Sequence, residues 1–462
     1  MAAGRATATD KAVAQYLSRH AEPEAALADR IRGDYGHVLV VPAYGERESL
    51  FRLLASVPGG PAGPVLIVLV LNARRDSPPE AHAANAEAAD RLARELPTEA
   101  GLSPGDGAAA YGIQGGTLLA IDRASDGRFL PEGEGVGLAR KIGNDVAMSL
   151  FAKGRIASPW LHNTDADTLL TGDYFEQVRR LDPENAAAAI YFFDHRFEPD
   201  PDLALAGRLY EISLRYYVLG LAWAGSPYAY QSMGSCLAIP PLAYARVRGF
   251  PKKNAAEDFY VLNKLAKVGA IERLDGAPLL LEGRPSDRVP FGTGRALRDL
   301  SAKRHALARF ALYHPIVFAH LAAWLRVLDA IARSRGDLSQ ALRALPESNP
   351  FFRSDLLEEA VERLGAPKAI SDAIGRSSGE ATLRRHLHIW FDGFRTRKLV
   401  HSLRDGGFSS LPWREALAEA PFTGLAASTE DDVDALRRLL AEEERKLAAA
   451  PAGVPAMQPP DA

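Results

Sequence analysis

The sequence predicts an α/β fold: a three-layer sandwich around a mostly parallel sheet, followed by an α-helical C-terminal domain. Three observations carry this. Between residues 37 and 240, short continuous apolar runs alternate with helical patterns. The first ends at Pro42, the second at Asn72 and a later one just before Asp165, as buried parallel strands end where they leave a sheet. Beyond residue 295 strand signals stop and long helical patterns take over. Strand and helix in alternation imply parallel strands joined by crossover helices.

Taken in order, residues 11–32 read as helical, with Val13, Leu17, Ala21 and Leu27 near helical spacing and a break at Pro23. Residues 37–41 form the first strand. Residues 46–57 follow as a helix with Glu46 and Glu48 at its positive dipole end. A Gly/Pro loop separates this from a second strand at 64–71, and an Ala-rich helix at 77–96 opens on Pro78 and Pro79. A Gly-rich loop leads to a third strand at 117–122. Residues 133–152 begin in glycines and become helical near Leu138, and a strand at 160–163 comes next. Strands at 187–195 and 236–240 flank a helix at 203–219. Helical patterns then cover 301–333, 355–364 and 430–448. The expected organisation is an N-terminal helical segment (1–35), an α/β domain (36–298), a helical domain (299–450) and a Pro/Ala-rich disordered tail (451–462).

The chain has 462 residues, more than one average domain. Hydrophobic residues make up 47% and charged residues 24%, enough for a globular core. A net charge of −3 argues against a nucleic-acid binder. The single cysteine, Cys236, excludes an intramolecular disulfide and a Cys-rich zinc site, and points to a reducing cytoplasm. Residues 1–10 lack an apolar stretch, so no secretory signal is expected. No run reaches transmembrane length. The nearest, 310–325, is interrupted by His314, Pro315 and His320 and reads as a buried helix. Its second reading is a helix on the inner membrane surface, since Arg326 and Lys303-Arg304 flank it.

The chemistry concentrates in Trp160-Leu161-His162-Asn163-Thr164-Asp165-Ala166-Asp167-Thr168, where a strand delivers two carboxylates one residue apart. In extended backbone such side chains share a face, so Asp165 and Asp167 can converge on one hard cation. Oxygen ligands suit Mg²⁺ or Mn²⁺, which in turn hold a diphosphate. An isolated Asp-x-Asp is more often a solvated turn. Three further segments weigh against that here: Val40-Val41-Pro42-Ala43-Tyr44-Gly45-Glu46, Gly137-Leu138-Ala139-Arg140-Lys141-Ile142-Gly143 and Ala256-Glu257-Asp258-Phe259-Tyr260.

In this order and context the four segments resemble the GT-A fold glycosyltransferases of the family 2 type, over residues 36–295. The resemblance implies a metal-dependent hexosyltransferase that moves a sugar from a nucleoside-diphosphate sugar to a hydroxyl acceptor, with inversion. It implies that Pro42, Ala43, Tyr44, Glu46, Asn72, Arg140, Lys141 and Asp165 bind the donor. Asp165 and Asp167 would hold Mg²⁺ or Mn²⁺, with His305 as a third ligand. Asp258 would be the base and Glu257 would orient or cap. Acids in a first helical turn are otherwise simple dipole partners, and Arg140 and Lys141 otherwise a solvated face. The chain departs from the family where Asn72-Ala73-Arg74-Arg75-Asp76 replaces an acidic Asp-Asp-Gly-Ser segment, and where Lys141 stands for the common Asn. Asn72 can still meet a pyrimidine edge.

Gly234 and Ser235, in Gln231-Ser232-Met233-Gly234-Ser235-Cys236, would let an acceptor approach the backbone, or form a plain turn. The polar loop 284–294 reads as a lid bringing Arg284 or Arg288 to phosphate, or as a linker. His162 reads as buried, and Asp194-His195-Arg196 as a surface cluster. Two alternatives stand beside the inverting enzyme. One is a retaining GT-A transferase resembling glucosyl- or mannosyl-glycerate synthases; the other is a non-catalytic nucleotide-sugar-binding protein, favoured by the altered Asn72 segment. Nucleotidyltransferases share such a sheet, but their Gly-x-Gly-Thr-Arg opening is missing after the first strand. Acceptor and oligomeric state leave no signal.

Overall fold

The structure, a computed structural model, describes residues 8–60, 62–197, 200–285, 293–301, 310–345, 352–425 and 432–453. The chain divides into two compact units. The first is built from Met1–Arg196 and Ser232–Gly283, the second from Phe197–Gln231 and Thr293–Ala462.

The first unit is a mixed α/β body around an eight-stranded sheet. Its strands are β1 (His37–Ala43), β2 (Val65–Asn72), β3 (Ala108–Ile113), β4 (Gly116–Arg123), β5 (Leu161–Asn163), β7 (Ala186–Ile190), β9 (Leu237–Ile239) and β10 (Ala270–Arg273), in the order β3-β4-β2-β1-β5-β9-β7-β10. Strands β6 (Thr168–Leu169), β8 (Phe193–Phe197) and β11 (Leu279–Gly283) make a separate three-stranded sheet. In the main sheet the pairings β4·β2, β2·β1, β1·β5 and β7·β10 are parallel, while β3 and β9 run against their neighbours. Every residue of β1 and β2 is buried. Covered on both faces, a strand has no polar side to alternate with, which is why these two read as unbroken apolar runs.

The helices of this unit are α1 (Ala8–His20), α2 (Glu48–Ser56), α3 (Pro79–Glu95) and α4 (Val136–Ala152). Helix α4 is buried almost all round, including its polar Arg140, Lys141, Asn144 and Asp145. Glycines set how close it comes: a Cβ on Gly143 would lie 2.4 Å from Val40 Cγ1, and one on Gly137 would lie 2.2 Å from the Pro251 carbonyl oxygen. The chain leaves β1 in one direction for β2 and β4 and reaches β5 on the other side. The carboxyl ends of β1 and β5 therefore flank the topological switch point, where open α/β sheets bind ligands.

Several expectations are corrected. The loop expected before residue 117 contains β3, whose Ala-Ala-Ala-Tyr-Gly-Ile sequence gives almost no strand signal yet pairs along its whole length with Gly116–Ile121 of β4. The single strand expected over 187–195 is two, β7 and β8, in different sheets. Strands β10 and β11 were not anticipated.

The second unit is helical. Val317, Phe318, Leu321, Trp324, Leu328 and Ile331, all on the helix Ile316–Ser334, are fully buried, so residues 316–325 of the run 310–325 are a buried helix, while Ala311 before it is exposed. Of the helix expected over 301–333, Ser301 ends a helix that starts at Thr293, residues 302–309 lie outside the described ones, Ala311–Leu312 pairs with Leu411–Pro412 as a short antiparallel ladder, and a helix runs from Ile316 to Ser334. That ladder also corrects the expectation of helices alone beyond 295. The helix expected at 203–219 spans Pro201–Trp223 and belongs to this unit, with Asp200 accepting the Leu203 N–H at 2.9 Å as its cap. Among the described residues no helix is long and apolar enough to cross a membrane. Of the tail 451–462, residues 451–453 are described: Ala452 is buried and the Gly453 N–H donates to the Pro227 carbonyl at 2.7 Å. Residues 454–462 lie outside the described ones.

Candidate active site

The site begins with Arg140. It faces out of α4 toward the end of β5, and its side chain is only 2% exposed. Burying a cation is costly unless it is paired and hydrogen-bonded, and Arg140 is both. Its Nη2 donates to Asp165 Oδ1 at 2.5 Å, its Nε to Glu257 Oε1 at 3.0 Å and its Nη1 to the Thr164 carbonyl at 3.3 Å. Burial alone would disfavour its charge, but Asp165 and Glu257 outweigh burial and hold the guanidinium protonated. Three segments read separately from the sequence thus meet around one side chain.

A fourth is added by Gly234. A Cβ there would lie 2.3 Å from Arg140 Nη2, so only glycine admits the guanidinium. The Gly234 N–H also donates to Asp258 Oδ2 at 3.1 Å, and the Phe259 N–H donates to Asp258 Oδ1 at 2.7 Å. Glu257 and Asp258 open the helix Glu257–Leu265 after Ala256, whose φ of +60° is left-handed and disfavoured for any residue with a Cβ. That turn aims the consecutive carboxylates into one cluster. Burial raises the Glu257 carboxyl above its ordinary value, against the pull of Arg140. Desolvation, and then the charge of Glu257, push Asp258 up to about 7. Asp258 still keeps partial solvent exposure. A partly accessible carboxylate titrating near neutrality is suited to accepting a proton.

The acidic pair is held differently from the extended arrangement expected. The Thr168 N–H donates to the Asp165 carbonyl at 3.2 Å, which makes 165–168 a turn linking β5 of one sheet to β6 of the other. Asp165 is 39% exposed and Asp167 is half-buried. Among the described residues no group of three or more His, Cys, Asp and Glu is placed so that it could hold a metal ion by itself. Mg²⁺ needs only one or two carboxylates beside substrate phosphates and waters, so the second oxygen of Asp165 and the Asp167 carboxylate fit such an ion in kind. His305, expected as a third ligand, and Arg288, expected at phosphate, lie outside the described residues, as does most of the loop 284–294.

The remaining residues divide. Pro42, Ala43 and Tyr44 stand at the end of β1, next to β5, and Gly45 turns the chain into α2 with a φ of +62°. Glu46 is buried and accepts from the Ser49 hydroxyl at the start of α2. Asn72 is also buried; its Nδ2 donates to the Ala43 and Val70 carbonyls at 2.9 and 3.2 Å, tying β2 to β1. Beyond it Arg74 bonds Asp76 and reaches Asn254 Oδ1 at 3.2 Å. Ser235 turns inward, its hydroxyl 3.6 Å from Cys236 Sγ. Lys141, expected beside phosphate, faces away from the cluster and bonds Tyr16 and Asp145. Sequence reasoning missed Asn144 and Asn163. Asn144 Nδ2 donates to Asn163 Oδ1 at 2.7 Å, and Asn163 Nδ2 donates back at 3.3 Å, joining α4 to β5 beside the Asp165 turn. Two asparagines 19 positions apart give no pattern to find.

The chain matches no protein-family model and no curated protein. Among solved structures, residues 1–349 of TarS from S. aureus, in complex with UDP-GlcNAc, are 12% identical, covering 80% of this chain and 89% of that one with a TM-score of 0.34. The mannosyltransferase PcManGT from Pyrobaculum calidifontis, in complex with GDP-Man and Mn²⁺, is 15% identical, covering 96% and 94% with a TM-score of 0.30. Likenesses this distant carry nothing about the site, whose reading rests on the chain's own residues.

Proposed function

We propose that the chain is a GT-A type glycosyltransferase of the family 2 kind, moving a sugar from a nucleoside-diphosphate sugar to a hydroxyl acceptor with inversion. The observation that carries this is the meeting of Arg140, Asp165, Glu257, Asp258 and Gly234 at the switch point of the sheet. Asp258 takes the proton of the acceptor hydroxyl. The acceptor oxygen then bonds the anomeric carbon as that carbon's bond to the diphosphate breaks. Arg140 keeps Asp165 and Glu257 in place and offsets their charge, so that Asp258 is not the third member of an unbalanced acidic patch. A divalent ion on Asp165 and Asp167 would neutralise the departing diphosphate.

The test is turnover of a panel of nucleotide sugars by wild type and Asp258→Asn. Donor binding should survive the substitution while turnover falls about 10²-fold or more. Retained turnover removes Asp258 from the mechanism. A wild type that binds a nucleotide sugar and never turns it over supports the non-catalytic alternative.

A further inference from the structure

Helix α4 carries two adjacent buried cations with different destinations. Arg140 enters the acidic cluster; Lys141, one position and roughly 100° further round the helix, enters a second polar cluster. There Lys141 Nζ donates to Asp145 Oδ2 at 2.9 Å and to the Tyr16 hydroxyl at 2.5 Å. The Tyr16 hydroxyl donates to Asp145 Oδ1 at 2.5 Å, the Tyr244 hydroxyl to the same oxygen at 3.2 Å, and the Glu22 N–H to Asp145 Oδ2 at 2.8 Å. Lys141 is 5% and Asp145 0% exposed. Helix α1 supplies Tyr16, so the segment before the sheet is built into the interior of this unit.

We infer that this second cluster is a positioning device for the first: by fixing the rotation of α4, Tyr16, Lys141 and Asp145 hold Arg140 between Asp165 and Glu257. A cation buried without its anion is strongly unfavourable, so each of the two cations rules out any rotation that satisfies only the other. One buried ion pair would leave the helix free to roll until its own charge was satisfied. Two, roughly 100° apart, leave one angle. Asn144 adds a third constraint, its Nδ2 bonding the Arg140 carbonyl at 2.8 Å as well as Asn163. The glycines allow little lateral escape, since α4 already touches β1 at Gly143.

The inference rests on the transferase reading only for its kinetic arm. Its test is the double variant Lys141→Met/Asp145→Asn, which removes both charges together, leaves the amide oxygen to accept from Tyr16 and Tyr244, and takes the acceptor from the Glu22 N–H. Because Lys252 still pairs Glu22 at 2.8 Å and no buried charge is left unpaired, the variant should melt well above either single variant. Its turnover per folded molecule should nevertheless fall about tenfold, with donor KM changed much less, because small misplacements of positioned groups are costly to rate. Hydrogen exchange across 161–168 and 234–259 should also quicken, and this reading needs no turnover. Unchanged exchange overturns the inference whatever the kinetics. A wild type without transferase activity sinks the functional reading alone, and leaves exchange to decide this one. Should the double variant not fold, Tyr16→Phe, which removes only a hydroxyl, is read by the same exchange measurement with the same two outcomes.

Discussion

Replacing Arg140 by Met removes the one cation between Asp165 and Glu257 while keeping an unbranched chain of similar reach. The wild-type side chain makes two ion pairs, at 2.5 and 3.0 Å, and one bond to a carbonyl. Removing one member of a buried ion pair typically costs about 3–5 kcal/mol, since the partner's charge is left without compensation. Most of this falls on Glu257, whose side chain is 6% exposed; Asp165, at 39%, is screened by water and adds less. We therefore expect roughly 3 kcal/mol, read by urea unfolding. The loss should depend on pH, with a definite sign. The Glu257 carboxyl is already raised above its unfolded value, and without Arg140 it rises further. A carboxyl with a raised folded pKa binds protons more tightly in the native state, so stability is lost as pH climbs above about 4.5. The gap between variant and wild type should thus be widest at pH 8 and narrow toward pH 5. A gap below about 1 kcal/mol, or one that ignores pH, would refute the claim that Arg140 is the counter-ion of a buried acid.

Turnover should rise as pH is raised through about 7, because Asp258 must shed its proton before it can accept one, and Asp258→Asn should abolish that inflection in its residual rate. His37 is 3% exposed, stacks on Phe175 at 4.5 Å, and has no hydrogen-bond partner for either ring nitrogen among the described residues. Burial lowers it from 6.5 to about 4, so wild type should lose stability as pH falls through that window, by up to about 3 kcal/mol. His37→Phe should flatten that loss in denaturant titrations between pH 6.5 and 4; an unchanged slope would contradict it.

The parts of the fold that could be read were those where burial on both faces forces a continuous apolar run, as in β1 and β2. Strand β3 was hidden because alanines carry little apolar signal, and β8 because one apolar stretch crosses from one sheet to another at Tyr191 and Phe192. In the site, Arg140 was legible only through the family resemblance, as a donor-binding residue, and the paired acids as charges at element ends. The direction of Lys141 was not, since its partner Tyr16 lies 125 positions away. Nor was the turn at 165–168, because spacing alone does not distinguish a turn from extended backbone. The left-handed Ala256 had no signal at all, since alanine is a residue that ordinarily avoids that conformation.

Calorimetric titration of uridine and guanosine diphosphate sugars into wild type, Asp165→Ala and Asp167→Ala, with and without Mn²⁺, bears most directly on what the cluster is for. The account predicts that one of these donors binds wild type, that Mn²⁺ tightens it, and that either substitution abolishes the tightening. Equal affinity in all three proteins with Mn²⁺ present would contradict it.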